Sequence, residues 1–306
     1  MTFGLISHPD CLKHTVPAGH PESAVRIDAI QDKLIASGMD SFMPYSEAPA
    51  ASKAQLLTVH DPEYIDQLYQ LEAKGESLWV DGDTWFSPDT LQAALHAAGA
   101  GILAVDKVME LPTMHQFCLV RPPGHHAGPD SASGFCFLNN IAIAARHAID
   151  QHGLERVAIV DFDAHHGNGT EEIFKNEPRV LFLSLFQHPF YPEYEFTRNS
   201  DYILNAPIEA YSDGNIVRGI FEQQWLPALE DFRPELILVS AGFDAHRDDD
   251  MASLALTEDD YYWMSSKLVD VANRHANGRL VAILEGGYDL RALAASAVAF
   301  IRAGYD

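Results

Sequence analysis

The sequence predicts an α/β fold: a parallel sheet with helices on both faces, in a single domain over residues 1–306. Three observations carry that prediction. From about residue 117 onward, short runs rich in Val, Ile and Leu alternate with longer segments of helical periodicity. The short runs are apolar at consecutive positions, as in strands buried on both faces. No repeat, low-complexity tract or linker interrupts the alternation.

In chain order, Thr2 to Ile6 is a short strand followed by a polar loop. His20-Pro21-Glu22 opens a helix to about Ser37, with Val25, Ile30 and Leu34 on one face, Arg26 along it and Gly38 as its stop. Residues 44–60 form a strand-poor connection, and a helix follows from about Pro62 to Lys74. Residues 75–87 are a loop rich in Gly, Asp and aromatics, including Trp79, Trp85 and Phe86. Ser87-Pro88 starts an Ala-rich helix reaching about Met109. A strand at Phe117 to Val120, a helix at Asn139 to Gln151, a strand at 157–162 and a short helix near 170–175 come next. Arg179 to Phe186 is a strand, with a shorter one near Tyr202 to Leu204. A helix from about Asp213 to Asp231, a strand at Leu236 to Ser240 and a helix from Thr257 to His275 follow, the last with Thr257 and Asp260 as a box-like start. Leu280 to Leu284 is a strand, and a helix over 289–302 closes the fold.

Composition narrows the function. Lys and Arg number 20 against 44 Asp and Glu, a net charge of −24 that repels nucleic acid and anionic membranes. Such a surface would favour a cationic substrate, although solubility alone accounts for it, since global charge says little about one pocket. Hydrophobic content of 47% supports a sizeable core. No stretch approaches the roughly 18 apolar residues of a membrane span. The start, MTFGLISHPD, lacks the basic and apolar regions of a signal peptide. Cys11, Cys118 and Cys136 show no metal spacing and form no even set, which fits free thiols in a reducing, cytoplasmic setting.

Four polar clusters each begin where a strand stops: RPPGHHAG at 121–128, DFDAHHGNG from Asp161, SAGFDAH at 240–246 and EGGY at 285–288. Ligands of open α/β sheets bind beyond the carboxyl ends of the strands, so these distant segments should converge. Asp161, Asp163 and His165 alternate along an extended backbone and share one side. No Lys or Arg lies in 157–174 to neutralise them. Asp163, His165 and Asp244 supply two oxygens and one nitrogen, the layout of a catalytic zinc or ferrous site with an open position. Of His125 and His126, one could serve as general base and then as acid to the leaving amine, with Asp161 orienting His125 and Asn168 orienting His126. Tyr288 can donate to a developing oxyanion. Phe135 and Tyr191 sit on rim loops, as channel walls or as core.

Together RPPGHHA, GFCFLNN, DFDAHHGNGT, AGFDAH and EGGY, with HPES at 20–23 and Arg26, resemble the histone deacetylase superfamily, which includes acetylpolyamine amidohydrolases and other bacterial amidohydrolases. Asn168, where some members carry Asp, looks like the class II branch. The resemblance implies an arginase–deacetylase type sheet of about eight strands and one zinc ion held by Asp163, His165 and Asp244. It implies His126 as general base and acid, His125 as an electrostatic partner paired to Asp161, and Tyr288 as carbonyl polariser. Phe135 and Tyr191 would flank an acyl-lysine-like tunnel, and the Gly134 carbonyl would accept from the substrate amide. A potassium ion would lie on Asp161, Ser184, the Leu185 carbonyl and the backbone oxygens of Asp163 and His165, with a second monovalent site near Phe174 and Val180. The expected reaction is hydrolysis of an acetylated lysine in a peptide or protein, or of an acetylated polyamine. A catalytically silent acyl-amine binding module is the non-enzymatic alternative, against which the full set of catalytic positions argues. A homo-oligomer stays open. The sequence departs from the family at HRDDDMASL, where many relatives have a Gly-Asp-Pro turn, placing Asp248 to Asp250 at the mouth. Phe86 falls where some relatives place a substrate-gripping Asp, with Asp83 nearby.

Overall fold

Among the described residues, ten strands organise the fold: β1 (Thr2–Ser7), β2 (Tyr45–Glu47), β3 (Leu78–Trp79), β4 (Trp85–Phe86), β5 (Met114–Cys118), β6 (Val157–Asp161), β7 (Val180–Gln187), β8 (Ile203–Ile208), β9 (Leu236–Ala241) and β10 (Leu280–Leu284). The computed structural model describes residues 2–111 and 114–305. Eight of the strands form one sheet, ordered β2-β1-β5-β10-β9-β6-β7-β8, with every pairing parallel. The central strands β6, β9 and β10 are buried at every position, which is why they are apolar except at Asp161 and Ser240 near the carboxyl ends of β6 and β9. Pro207 is confined to the edge strand β8, where one side needs no ladder donor.

The helices are α1 (Val25–Ser37), α2 (Lys53–Leu56), α3 (Pro62–Lys74), α4 (Thr90–Glu110), α5 (Asn140–His152), α6 (Asn168–Phe174), α7 (Gly214–Ile220), α8 (Leu226–Phe232), α9 (Glu258–His275) and α10 (Leu290–Arg302). One face of the sheet packs on α1, α9 and α10 through residues such as Ile30, Leu268 and Phe300. The other packs on α4 and α5, whose alanines let helix approach strand closely. Among the described residues, no helix is long and apolar enough to cross a membrane.

Several expectations need correction. The first helix begins at Val25, because Glu22 is diverted into a buried ion pair; Val25 itself is 49% exposed. Residues 44–60 contain β2 and α2, and residues 75–87 close into the β3–β4 hairpin. The strand expected at 117–120 is β5, which runs through His115 and Gln116, both buried. Their polarity hides it; His115 Nδ1 pairs with the Gly278 carbonyl at 2.9 Å. The helix expected over 213–231 splits into α7 and α8 around a π-helical turn at Phe221–Trp225, just before Pro227, which cannot donate to a regular α ladder.

Candidate active site

The four strands that carry the polar clusters, β5, β10, β9 and β6, are neighbours at the centre of the sheet. Register levels their ends: Asp161 lies opposite Ser240, and Leu284 opposite Ala241. Because all run parallel, the loops that follow them emerge at one edge. They meet around a cavity of about 200 Å³ whose lining includes His125, His126, Phe135, His165, Tyr191 and Tyr288.

Asp163, His165 and Asp244 are buried, and their potential ligand atoms all lie within 4.8 Å of one another. His165 Nδ1 is 3.0 Å from both Asp163 Oδ1 and Asp244 Oδ2. Asp161 and Glu285 add two further buried carboxylates nearby. Among the described residues, no Lys or Arg forms an ion pair with any of these four acids; the partners of Asp161, Asp163 and Asp244 are histidines. Burial and mutual repulsion raise Asp244 to about 6, while His125 and His165 overcome burial and hold Asp163 well below the usual carboxylate range. Such a set calls for a cation, and its two carboxylates and one imidazole suit zinc. The close packing depends on Gly286: a Cβ there would sit 2.3 Å from Asp244 Oδ2 and 2.6 Å from Asp163 Oδ2.

The two histidines are held in opposite states. His125 Nδ1 donates to Asp161 Oδ2 at 2.9 Å. Burial disfavours its charge, but Asp161 and Asp163 prevail and raise its pKa to about 10. His126 Nδ1 donates to Asn168 Oδ1 at 2.7 Å, leaving Nε2 as an acceptor. Burial, followed by repulsion from His125 and His165, drives its pKa well below the usual range. Burial pushes the Tyr288 phenol well above its ordinary value, so it stays protonated. The Arg26 guanidinium lies 4.9 Å from the Tyr288 ring centroid and donates to the carbonyls of Glu285 and Gly287.

Phe135 and Tyr191 both line the cavity, Phe135 5.9 Å from Tyr288 and Tyr191 5.3 Å from His126 by ring centroids. Gly134 lines it too, with φ +54° and His126 so close that a Cβ would be 2.3 Å from Cδ2. Ser184 and Leu185 lie on β7, where Ser184 is in register with Asp161; Ser184 Oγ is buried with no hydrogen-bond partner. The Phe174 carbonyl already accepts from Glu177 N at 2.9 Å. Asp83 lines the cavity, whereas Phe86 is fully buried against Phe137. Asp248 and Asp250 are exposed, but Asp249 turns inward, and its Oδ2 accepts from the backbone of Tyr288 and Asp289 at 2.6 and 2.9 Å.

Sequence reasoning left several contributors without a role. Glu285 Oε2 accepts from the backbone of Gly124 and His125 at 2.7 and 3.2 Å, fixing the tandem-histidine loop. An acid directly after an apolar strand was the available signal. Glu22 ties Arg121 and Arg26 together beneath the same loops. Phe190 stacks on His165 at 5.5 Å, and Met251 joins the lining; neither carries a sequence signal.

Comparison with known proteins shows which family the chain resembles. The family model described as the histone deacetylase domain matches residues 20–303. The chain is 39% identical over 279 residues to a histone deacetylase-like amidohydrolase of Pseudomonas aeruginosa, covering 89% of this chain and 73% of the relative. It is 34% identical over 317 residues to the human protein named polyamine deacetylase HDAC10, covering 97% of this chain and 47% of the relative. The crystal structure of the HDA15 HD domain superposes with a TM-score of 0.91 at 33% identity, covering 98% of this chain and 87% of that one. The chain therefore belongs to the histone deacetylase family.

Proposed function

We propose that this chain is a zinc-dependent deacylase, a single catalytic domain that hydrolyses the N-acyl, most simply N-acetyl, amide of a lysine side chain. The supporting observation is a cluster of three buried metal-type donors, two of which line one cavity together with His125, His126 and Tyr288. Zinc held by Asp163, His165 and Asp244 would supply Lewis-acid polarisation and acidify a water. His126, neutral at Nε2, accepts a proton from the attacking water. His125, kept cationic by Asp161, stabilises the developing negative charge, and the protonated His126 or His125 then gives a proton to the leaving amine. Tyr288 donates its O–H to the carbonyl oxygen. Phe135 and Tyr191 flank the acyl chain, and the Gly134 carbonyl accepts from the amide N–H. Asp161, Ser184 and the Leu185 carbonyl would hold potassium, a role that fits the unpartnered Ser184 hydroxyl. Three buried, unpaired cysteines suit the cytoplasm, the compartment we assign.

A second reading, hydrolysis of a small acetylated polyamine, is favoured by Asp83 in the cavity wall and by the name of the human relative. One experiment tests both. Zinc-loaded protein is assayed on an acetyl-lysine peptide, acetylputrescine and acetylspermidine, before and after a chelator. Zinc-dependent turnover of the peptide above the polyamines supports the first reading, and the reverse order supports the second. Zinc-loaded protein that cleaves none of the three overturns the deacylase assignment.

A further inference from the structure

We infer that Asp106, His147 and His152 form a second site for a divalent transition-metal ion, clamped between α4 and α5 and sharing no residue with the active-site cavity. Asp106 lies on α4; His147 and His152 lie on α5. Both imidazoles present the same atom, Nε2, to one oxygen: each is 2.7 Å from Asp106 Oδ1. Their rings stand nearly perpendicular, at 78°, with centroids 5.4 Å apart, so the nitrogens converge from different directions. Among the described residues, Asp106 forms an ion pair with no Lys or Arg.

Two imidazole nitrogens and a carboxylate oxygen select borderline first-row ions such as zinc, nickel or copper over magnesium and calcium. Zinc bonds of about 2.0–2.2 Å in a tetrahedral arrangement separate ligand atoms by about 3.3 Å. The candidate ligand atoms of the three residues all lie within 4.8 Å of one another. Side-chain exposures of 12%, 25% and 41% for His147, His152 and Asp106 leave room for water at the remaining position. A cavity of about 250 Å³ lined by His147, Asp150 and Gln55 provides an approach. The acidic surface raises the local cation concentration.

A similar cluster elsewhere lacks these properties. In His8, Asp10 and His96, Lys13 Nζ lies 2.6 Å from Asp10. His8 Nδ1 accepts from Asp10 N, and His96 Nδ1 faces the Ala48 carbonyl at 2.9 Å.

The test is zinc titration by calorimetry of the tag-free full chain carrying one zinc equivalent, comparing wild type with His147→Gln and His152→Gln. The expected result is one more zinc equivalent in wild type than in either variant. Loss of a direct ligand should weaken that step by more than roughly 100-fold, beyond the 10–100-fold usual for outer-shell partners. Deacylase activity should be equal in all three proteins. Equal zinc stoichiometry and affinity in wild type and both variants would overturn the proposal. Because the readout is a difference between proteins, it does not depend on the catalytic assignment.

Discussion

Asp163 holds four contacts at once: Oδ2 accepts from Gly286 N at 2.9 Å, Oδ1 accepts from His165 N, His165 Nδ1 is adjacent, and His125 Nε2 lies 3.9 Å away. Crowding of this kind makes the smallest neighbour decisive. Gly286→Ala places a methyl inside contact distance of two carboxylates and is expected to cost one zinc equivalent relative to wild type and to abolish activity while far-UV circular dichroism stays native; metal analysis of the purified variant beside wild type checks this. Tyr288 lines the same cavity. Tyr288→Phe keeps the ring and removes only the donor, so kcat should fall roughly 100-fold or more with KM little changed. Full turnover of an acetyl-lysine reporter by this variant would exclude the oxyanion role. Gly286 and Tyr288 were legible as residue types in a glycine-rich turn, but the carboxylates that hold the backbone of the site loops, Asp249 on Tyr288 and Glu285 on His125, emerge only from contacts across the fold.

At the scale of elements, the reading succeeded where pattern and cap agree. The start of α9 is an example: Asp260 Oδ2 accepts from both Thr257 N and Thr257 Oγ1 at 2.9 Å, while Oδ1 accepts from Arg218 at 2.8 Å. Asp260→Ala should therefore cost about 1–2 kcal/mol, lowering the melting temperature by a few degrees without changing activity; calorimetry reads this directly. The reading failed where tertiary demands override local preference. Val25 carries an apolar side chain on the exposed side of α1, while Arg26, charged, is wholly buried to grip the Glu285 and Gly287 carbonyls.

Across the whole molecule, buried neutral histidines set the response to acid. His14, His60 and His115 each fall from 6.5 to about 4, chiefly by burial. The unfolded chain takes up these protons near pH 6.5 and the folded chain only near pH 4. Their contribution is complete above pH 6.5 and is lost as pH falls through that window, up to about 3 kcal/mol for each. Glu22 acts lower: Arg121 outweighs burial and depresses it from 4.5 to about 2, so its share is lost between those values. Urea denaturation at pH 7, 5.5 and 4.5 should show stability falling less steeply with acid in His115→Gln than in wild type, and equal pH dependence of the two proteins would contradict the buried neutral state of His115.

The chain pattern alone was enough for the parallel α/β class, the placement of most strands and the residues at their carboxyl ends. Continuous apolar runs and glycine-flanked acids are local features written at adjacent positions. The order of the strands was not. Only folding brings β5, β10, β9 and β6 side by side, although the chain visits them in the order β5, β6, β9, β10. The charge states of His125 and His126 likewise arise from burial and from charged neighbours, Asp161 and Asp163 for the first and His125 and His165 for the second, quantities that belong to three-dimensional proximity.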